Sequence, residues 1–359
     1  ASDQLSLKLP LKCEDLKNPD IKCIFRRSSY KRGVYTRGKF PPFDYKAFKK
    51  TNDIGQFSDI DFKELVDADN RYLKIISIGD SYVEAIQVKN QEAFHGRLNK
   101  YISKENKKVI SSSIGASGNA FPQYLIHLLF AKNNLDLTSS VLVIPIISND
   151  FDESFKKYSE NPGASFKSDK SGNLIFKEYV LNSSIIFRRI LVSTSAIGRY
   201  LIFNLKLRSL IINPPICKLI GQKCLDSSKV KVNIIDSSPN KDIERYKDGE
   251  EASKLFINAI AKNRNSIEER NNTIFIISAD RQHIYNKQIP KSLFFEHQRD
   301  YFITLAKQKG FKIIDLEEVF SENYKLNKRR FEFQYDNHWN SYAHNIVAEK
   351  IAEKLNLYK

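Results

Sequence analysis

The chain has 359 residues, of which 41% are hydrophobic, 28% charged and 12% aromatic. That is enough apolar surface for a buried core, and it excludes an intrinsically disordered chain. A count of 58 Lys and Arg against 42 Asp and Glu gives a formal net charge of +16, the one compositional feature that invites a nucleic-acid reading. No window reaches the roughly 18 uninterrupted apolar residues of a membrane span. The nearest, at 185–210, is broken by Arg188, Arg189, Arg199, Asn204 and Lys206.

Residues 1–70 show little periodicity and carry turn signals such as Phe40-Pro41-Pro42-Phe43, so they read as an extended arm packed on a core. Beyond it, 71–359 reads as one domain. A β-rich run at 73–79 ends in Gly79, a second covers 109–113, and a helix is expected from Pro122 to Lys132. Apolar β-branched runs follow at 141–147, 273–278 and 311–315, and a last amphipathic helix from Ser341 places Ala343, Ile346, Val347, Ile351 and Leu355 on one face. Five near-continuous apolar strands separated by helices predict a five-stranded parallel sheet covered on both faces, an α/β fold. The stretch at about 151–270 is too long for a simple crossover and is expected to hold a helical insertion. No internal repeat is apparent.

In such sheets ligands bind beyond the carboxyl ends of the strands. Gly79-Asp80-Ser81 follows the first strand, Ser113-Ile114-Gly115-Ala116-Ser117-Gly118-Asn119 the second, and Ser148-Asn149-Asp150 the third; Asp336-Asn337-His338-Trp339-Asn340 precedes the last helix. Each motif is weak alone, but the set in this order is specific. A serine hydroxyl needs a base to become a nucleophile, and a histidine needs its other ring N–H oriented, which an Asp two residues earlier can do. The oxyanion formed on attack needs donors, and the Ser81 and Gly115 N–H groups and the Asn149 amide are candidates. Glu84, about one helical turn beyond Ser81, and Arg281, after the fourth strand, are pocket candidates. His283 is the rival base, and Trp339, the only tryptophan, is expected to pack beneath the site.

These blocks resemble those of the SGNH (GDSL-type) hydrolase superfamily over about 75–150 and 270–356. The resemblance implies a three-layer α/β/α sandwich, catalysis by Ser81, Asp336 and His338, and an oxyanion hole from Ser81, Gly115 and Asn149. It implies no cofactor and no metal. Two departures stand out: Ile147 occupies the place of the glycine in Gly-x-Asn-Asp, and the last block is Asp-x-His rather than Asp-x-x-His. The second variant resembles exported polysaccharide O-acetyltransferases and esterases, including those that modify alginate. The expected function is therefore a serine esterase or O-acyltransferase acting on O-acyl, above all O-acetyl, groups of a cell-envelope or exported polysaccharide. The partners implied are an acylated carbohydrate and a membrane acyl donor. A lipase or lysophospholipase at a membrane surface, with 187–210 as its basic amphipathic contact, and a non-catalytic glycan-binding protein are the alternatives.

The four cysteines form two local pairs, Cys13 with Cys23 and Cys217 with Cys224. Short loops favour disulfides within each pair; free structural thiols remain open, and zinc fits poorly because the spacings are not Cys-x-x-Cys and no histidine accompanies them. With disulfides, a periplasmic or extracellular setting is expected. The absence of methionine is consistent with a trimmed chain whose export signal or anchor has been removed. The charge excess is local: residues 1–50 carry +8 and residues 151–250 carry +6, leaving +2 for the remainder, which holds the motifs. No nucleic-acid partner is expected, and the basic segments suit an acidic glycan or an anionic surface.

Overall fold

The protein is represented by a computed structural model that describes residues 33–37, 44–155, 157–158, 163–167, 174–177 and 239–359. All four cysteines and the basic stretch 187–210 lie outside the described residues. Chain contacts define two compact units, Ser6–Tyr179 with Tyr246–Lys359 and Ala1–Leu5 with Val180–Arg245. The second falls almost wholly outside the described residues, and the motifs belong to the first.

In chain order the elements are β1 (Gly33–Arg37), β2 (Lys46–Lys50), α1 (Phe62–Asp67), β3 (Tyr72–Gly79), α2 (Ser81–Glu84), α3 (Phe94–Leu98), β4 (Ile102–Ser103), β5 (Lys108–Gly115) and α4 (Phe121–Asn134). There follow β6 (Val141–Ile146), β7 (Gly163–Phe166), β8 (Leu174–Lys177), α5 (Pro239–Asn263), α6 (Ile267–Asn271), β9 (Thr273–Ile277) and α7 (Arg281–Tyr285). The chain ends with α8 (Leu293–Gln308), β10 (Lys312–Asp315), α9 (Leu316–Asn327), α10 (Ser341–Lys354) and β11 (Leu357–Tyr358).

The central sheet runs β10-β9-β6-β3-β5-β4-β11. Its first five strands are mutually parallel and correspond to the five apolar runs, but the expected five-stranded parallel sheet is corrected to a mixed sheet of seven. The two added strands, β4 and β11, are two residues long and antiparallel at one edge. A two-residue strand has no period to read, and β11 comes from the far end of the chain.

Side chains alternate between two cores, as the strand period of two requires. Ile76, Ile78, Ile110, Leu142, Ile144 and Phe275 point to one side, where α1, α4, α5 and α8 supply Phe62, Phe121, Phe256 and Phe302. Ile75, Val109, Val141, Val143, Ile274 and Ile276 point to the other, where α3, α9 and α10 supply Phe94, Phe320 and Val347. Helices therefore cover both faces, which is why the strands are apolar at nearly every position. The C-terminal part of the stretch read as an insertion is integral to this packing. Ala252, Phe256, Ile257 and Ile260 of α5 are fully buried, so α5 is the covering helix of the β6-to-β9 crossover.

Among the parallel strands, the order places β3 between β5, which follows it in the chain, and β6, which comes later still. The direction of winding thus reverses between β3 and β6, and the crevice above such a reversal is where open α/β sheets bind ligands. Ser81 follows β3 and Asn149 follows β6.

At the end of β3 the chain turns sharply into α2. Gly79 and Gly115 are paired across β3 and β5, and Val83, fully buried, lies on both. A Cβ on Gly79 would fall 2.5 Å from Val83 Cγ2, and one on Gly115 would fall 2.8 Å from both the Glu84 nitrogen and Val83 Cβ. These glycines are present because the one-turn helix rests directly on the strand ends. The arm contributes from below. Lys49 of β2, only 1% exposed, donates to the carbonyls of Ala85 (2.6 Å) and Glu84 (3.2 Å), where Ala85 ends α2 in the left-handed region at φ 47°. Gly115→Ala should lower the urea-unfolding free energy by roughly 1–3 kcal/mol, because the Cβ meets backbone that cannot swing aside. An unchanged midpoint would show that α2 is not seated on the sheet in this way.

Candidate active site

Ser81 occupies the first position of α2, so its N–H has no acceptor within the helix. Asp80 caps the turn: its Oδ1 accepts the Tyr82 N–H at 2.9 Å, and Ser81 Oγ donates to Oδ2 at 3.4 Å. Burial pushes the Asp80 carboxyl up to about 6, against the opposing effects of the Tyr82 N–H, His338 and the Ser81 hydroxyl.

The Asp-x-His block forms a tight pair. Asp336 Oδ1 faces His338 Nδ1 at 2.5 Å and also accepts the His338 N–H at 2.9 Å, while Gln87 reaches Oδ2 at 3.4 Å. Burial would raise the Asp336 carboxyl, but these His338 contacts outweigh it and hold it below the ordinary carboxylate value. A spacing of two suffices between acid and base because the Asp accepts both the ring and the backbone N–H of the same histidine. With Nδ1 directed at the carboxylate, Nε2 is left as the basic nitrogen.

Tyr82 joins the two halves. Its ring lies 5.1 Å from the His338 ring and edge-on to Trp339 at 4.8 Å, and its hydroxyl donates to the Asn337 carbonyl at 3.1 Å. Arg281 donates to the Tyr82 hydroxyl (3.0 Å) and to the same carbonyl (2.6 Å). The loop bearing Asp336 and His338 is thereby fastened to the residue beside Ser81. Trp339, 1% exposed, packs beneath.

The oxyanion candidates divide. Asn149 sits in a single 3-10 turn, and its amide donates to Glu153 at 3.1 Å, which fixes its orientation and leaves its second N–H. Ile147, in place of glycine, has φ −117° and ψ 161°, extended backbone open to any residue. Asp150 closes the turn by accepting the Ile147 N–H (2.7 Å) and the Tyr124 hydroxyl (2.9 Å). Gly115 is a correction. Its N–H donates to Gln56 Oε1 at 3.0 Å, because β4 pairs with only the first residue of β5 and side chains from the neighbouring loops serve the rest of that edge. Asn99 does the same for Ser111.

Glu84 is also reassigned. It is 2% exposed and its carboxylate accepts the N–H (2.8 Å) and the hydroxyl of Ser117, so it braces the loop after β5. The same loop is tied back by the Asn119 amide, 3.3 Å from the Gly79 carbonyl. Between them Gly118 has φ 83°, the left-handed region. It is the residue that sequence reasoning passes over, and the second glycine of Gly-Ala-Ser-Gly is the available signal. His283 bonds the Ile289 carbonyl through Nδ1 at 2.7 Å. Arg281 does line a cavity, of about 290 Å³, together with Tyr82, Ile147, Ser148, Phe295 and Asn337. Three of these are chain neighbours of Ser81, Asn149 and His338. Among the described residues, no group of three or more His, Cys, Asp or Glu gathers as a metal would require, and no helix is long and apolar enough to cross a membrane.

No protein-family model matches the chain, and no curated protein matches it in sequence. Among solved structures it is similar to LAE5, an alpha/beta hydrolase enzyme from the metagenome of Lake Arreo, Spain. That match has TM-score 0.40 and 12% identity over 79% of this chain and 95% of the other. It is also similar to the acetyl xylan esterase AlAXEase (TM-score 0.39, 11% identity, 78% and 98% covered). A third is the lipase Lip_vut3 from a goat rumen metagenome (TM-score 0.39, 13% identity, 79% and 97% covered).

Asp80 gives a test of the turn that carries Ser81. Its folded value lies above the ordinary 3.8, so the folded state holds the extra proton, and stability falls as pH rises from about 3.8 to about 6. Asp80→Asn keeps an acceptor for the Tyr82 N–H and removes the charge. The stability of the variant relative to wild type should rise over that interval by on the order of 1–3 kcal/mol and then level off. A pH-independent difference in unfolding free energy would contradict the burial of an ionising carboxyl under Ser81.

Proposed function

We propose that the protein is a serine esterase or O-acyltransferase of the SGNH type. Its substrates are O-acyl, above all O-acetyl, groups of a cell-envelope or exported polysaccharide. The observation that carries this reading is the Asp336–His338 pair, closed at 2.5 Å, with the His338 ring 5.1 Å from the ring of Tyr82, the residue next to Ser81. Acid, base and nucleophile residues come from opposite ends of the chain, and nothing in the packing of an inert α/β domain requires that grouping.

In this reading His338 Nε2 takes the Ser81 hydroxyl proton as Oγ attacks the ester carbonyl. The Ser81 N–H and the Asn149 amide donate to the oxyanion. As the tetrahedral intermediate collapses, the ester C–O bond breaks and the leaving alcohol takes the proton from His338. An acyl group remains on Ser81 until water or a sugar hydroxyl, deprotonated by His338, accepts it. Asp336 holds the ring tautomer throughout. An exported setting, and a membrane partner that supplies acyl groups when the acceptor is a sugar, belong to the same proposal.

Ser81→Ala should abolish both ester turnover and labelling by a serine-directed fluorophosphonate; equal labelling of wild type and variant would refute Ser81 as the nucleophile. Asp336→Asn should lower kcat by about 10³- to 10⁴-fold, the effect of a mis-set histidine tautomer, in a stopped-flow or steady-state assay with p-nitrophenyl acetate. Acetate release from an acetylated glycan is expected to exceed fatty-acid release from phospholipid when the two are measured side by side.

A further inference from the structure

The cavity beside the catalytic residues has a chemistry of its own. Its charged lining residues are Arg281, Glu332 and Asp280. Arg281 is matched by Glu332, whose Oε2 lies 3.7 Å from Nη1 in a side chain 3% exposed. The Asp280 carboxylate accepts the backbone N–H groups of His283 (3.3 Å) and Ser292 (3.1 Å). The other Glu332 oxygen is held by Arg330, with Nη2 at 2.9 Å and Nε at 3.0 Å, so the charges of Arg281, Arg330, Glu332 and Asp280 cancel and both cations are paired. An anionic ligand would give up its hydration there with no net positive charge to receive it.

What the lining offers instead is neutral hydrogen-bonding capacity over an apolar floor. Ser148, Ser278 and Ser292 contribute hydroxyls and Gln282 an amide at the rim, with Ile147, Ala279 and Phe295 between them. Hydroxyls and amides both donate and accept, which suits ligand hydroxyls that do the same. Arg281 Nη1 is enclosed rather than open to the cavity, and at 3.7 Å from Glu332 it only completes the ion pair.

We propose that this cavity is the subsite for an uncharged, hydroxyl-rich unit of the substrate, a neutral sugar ring next to the acylated position, held by hydrogen bonds to Ser148, Ser278 and Gln282. The inference rests on the Ser81 ester chemistry proposed above and narrows its substrate: a neutral glycan is selected, and a uronate is selected against, because its carboxylate would be desolvated beside Asp280 with no unpaired cation to receive it. The compact polar lining also disfavours a long acyl chain there.

The test uses the full chain and three acetyl esters: O-acetylated methyl glucoside, O-acetylated methyl glucuronide and p-nitrophenyl acetate. Wild type should prefer the glucoside to the glucuronide by at least about tenfold in kcat/KM, the combined effect of an added hydrogen bond and an avoided carboxylate desolvation. Ser278→Val should lower the ratio of glucoside to p-nitrophenyl acetate turnover by about tenfold, and a folded far-UV spectrum and thermal midpoint would accompany it. Gln282→Ala, at the exposed rim, provides a second variant whose folding is not at risk. Equal rates on the two sugars, a preference for the glucuronide, or an unchanged ratio in both variants would overturn the subsite while leaving the nucleophile assignment intact. Turnover of p-nitrophenyl acetate that survives Ser81→Ala would instead overturn the nucleophile, and the subsite with it.

Discussion

The contact between Val83 and the two glycines at the strand ends governs the rest of the site. With any side chain at Gly79 or Gly115, α2 would have to lift from the sheet, since the Cβ positions fall at 2.5–2.8 Å from Val83 and the Glu84 backbone. Because α2 lies flat, Asp80 is forced into the interior, Ser81 is left at the rim, and Tyr82 is turned toward the loop that carries Asp336 and His338. One packing constraint thereby sets the depth of a carboxylate, the exposure of a hydroxyl and the direction of a ring. The glycines act through sterics alone, and both are identifiable only after the register of β3 and β5 is known.

The electrostatics of this end of the sheet follow from the same burial. Burial raises the carboxyls of both Asp80 and Asp150, and the nearby Asp80 raises Asp150 further; Asp336 is partly exposed and is held low by His338. The imidazole therefore has Asp336 as its hydrogen-bonded carboxylate and Asp80 as a more distant one. On the far side of the sheet from α4, His95 and His344 are buried without charge, since burial first and neighbouring cations second lower their proton affinity. Charge near Ser81 is confined to a few groups whose positions the fold dictates.

The parts of the fold legible in the sequence are those with a period. The five central strands appear as β-branched runs because helices cover both faces, and α10 announces itself through Ala343, Ile346, Val347 and Ile351. The edge strands β4 and β11 leave no such trace, and α5 merges into an apparent insertion because nothing in its sequence says which sheet face it covers. In the site, the first three blocks stand at strand ends, where open α/β sheets bind ligands, and the fourth lies in the loop before α10. The misreadings concern partners rather than residue types. Gly115 closes β5 and Gly118 lies three residues on in the loop that follows, and only the structure reveals that the first serves a strand edge. Glu84 falls at helical spacing from Ser81, yet whether such a carboxylate lines a cavity or braces a loop depends on Ser117, which the pattern does not connect to it. Arg281 is visible as a residue after a strand, but its pairing with Glu332, 51 positions later in the chain, is a product of tertiary packing.

Lys49 alters how the amino-terminal arm should be regarded. By sequence it is one of many positive charges in an appendage, available to whatever surface the protein meets. In the structure it is an interior cation that supplies hydrogen bonds to two carbonyls at the end of the turn bearing Ser81. Part of the charge excess is therefore structural and out of reach of solvent, and the minimal folding unit does not begin where the motifs begin. A chain cut back to residue 71 would keep Ser81, Asn149, Asp336 and His338 and lose the cross-strut that holds the backbone of the Ser81 turn in place.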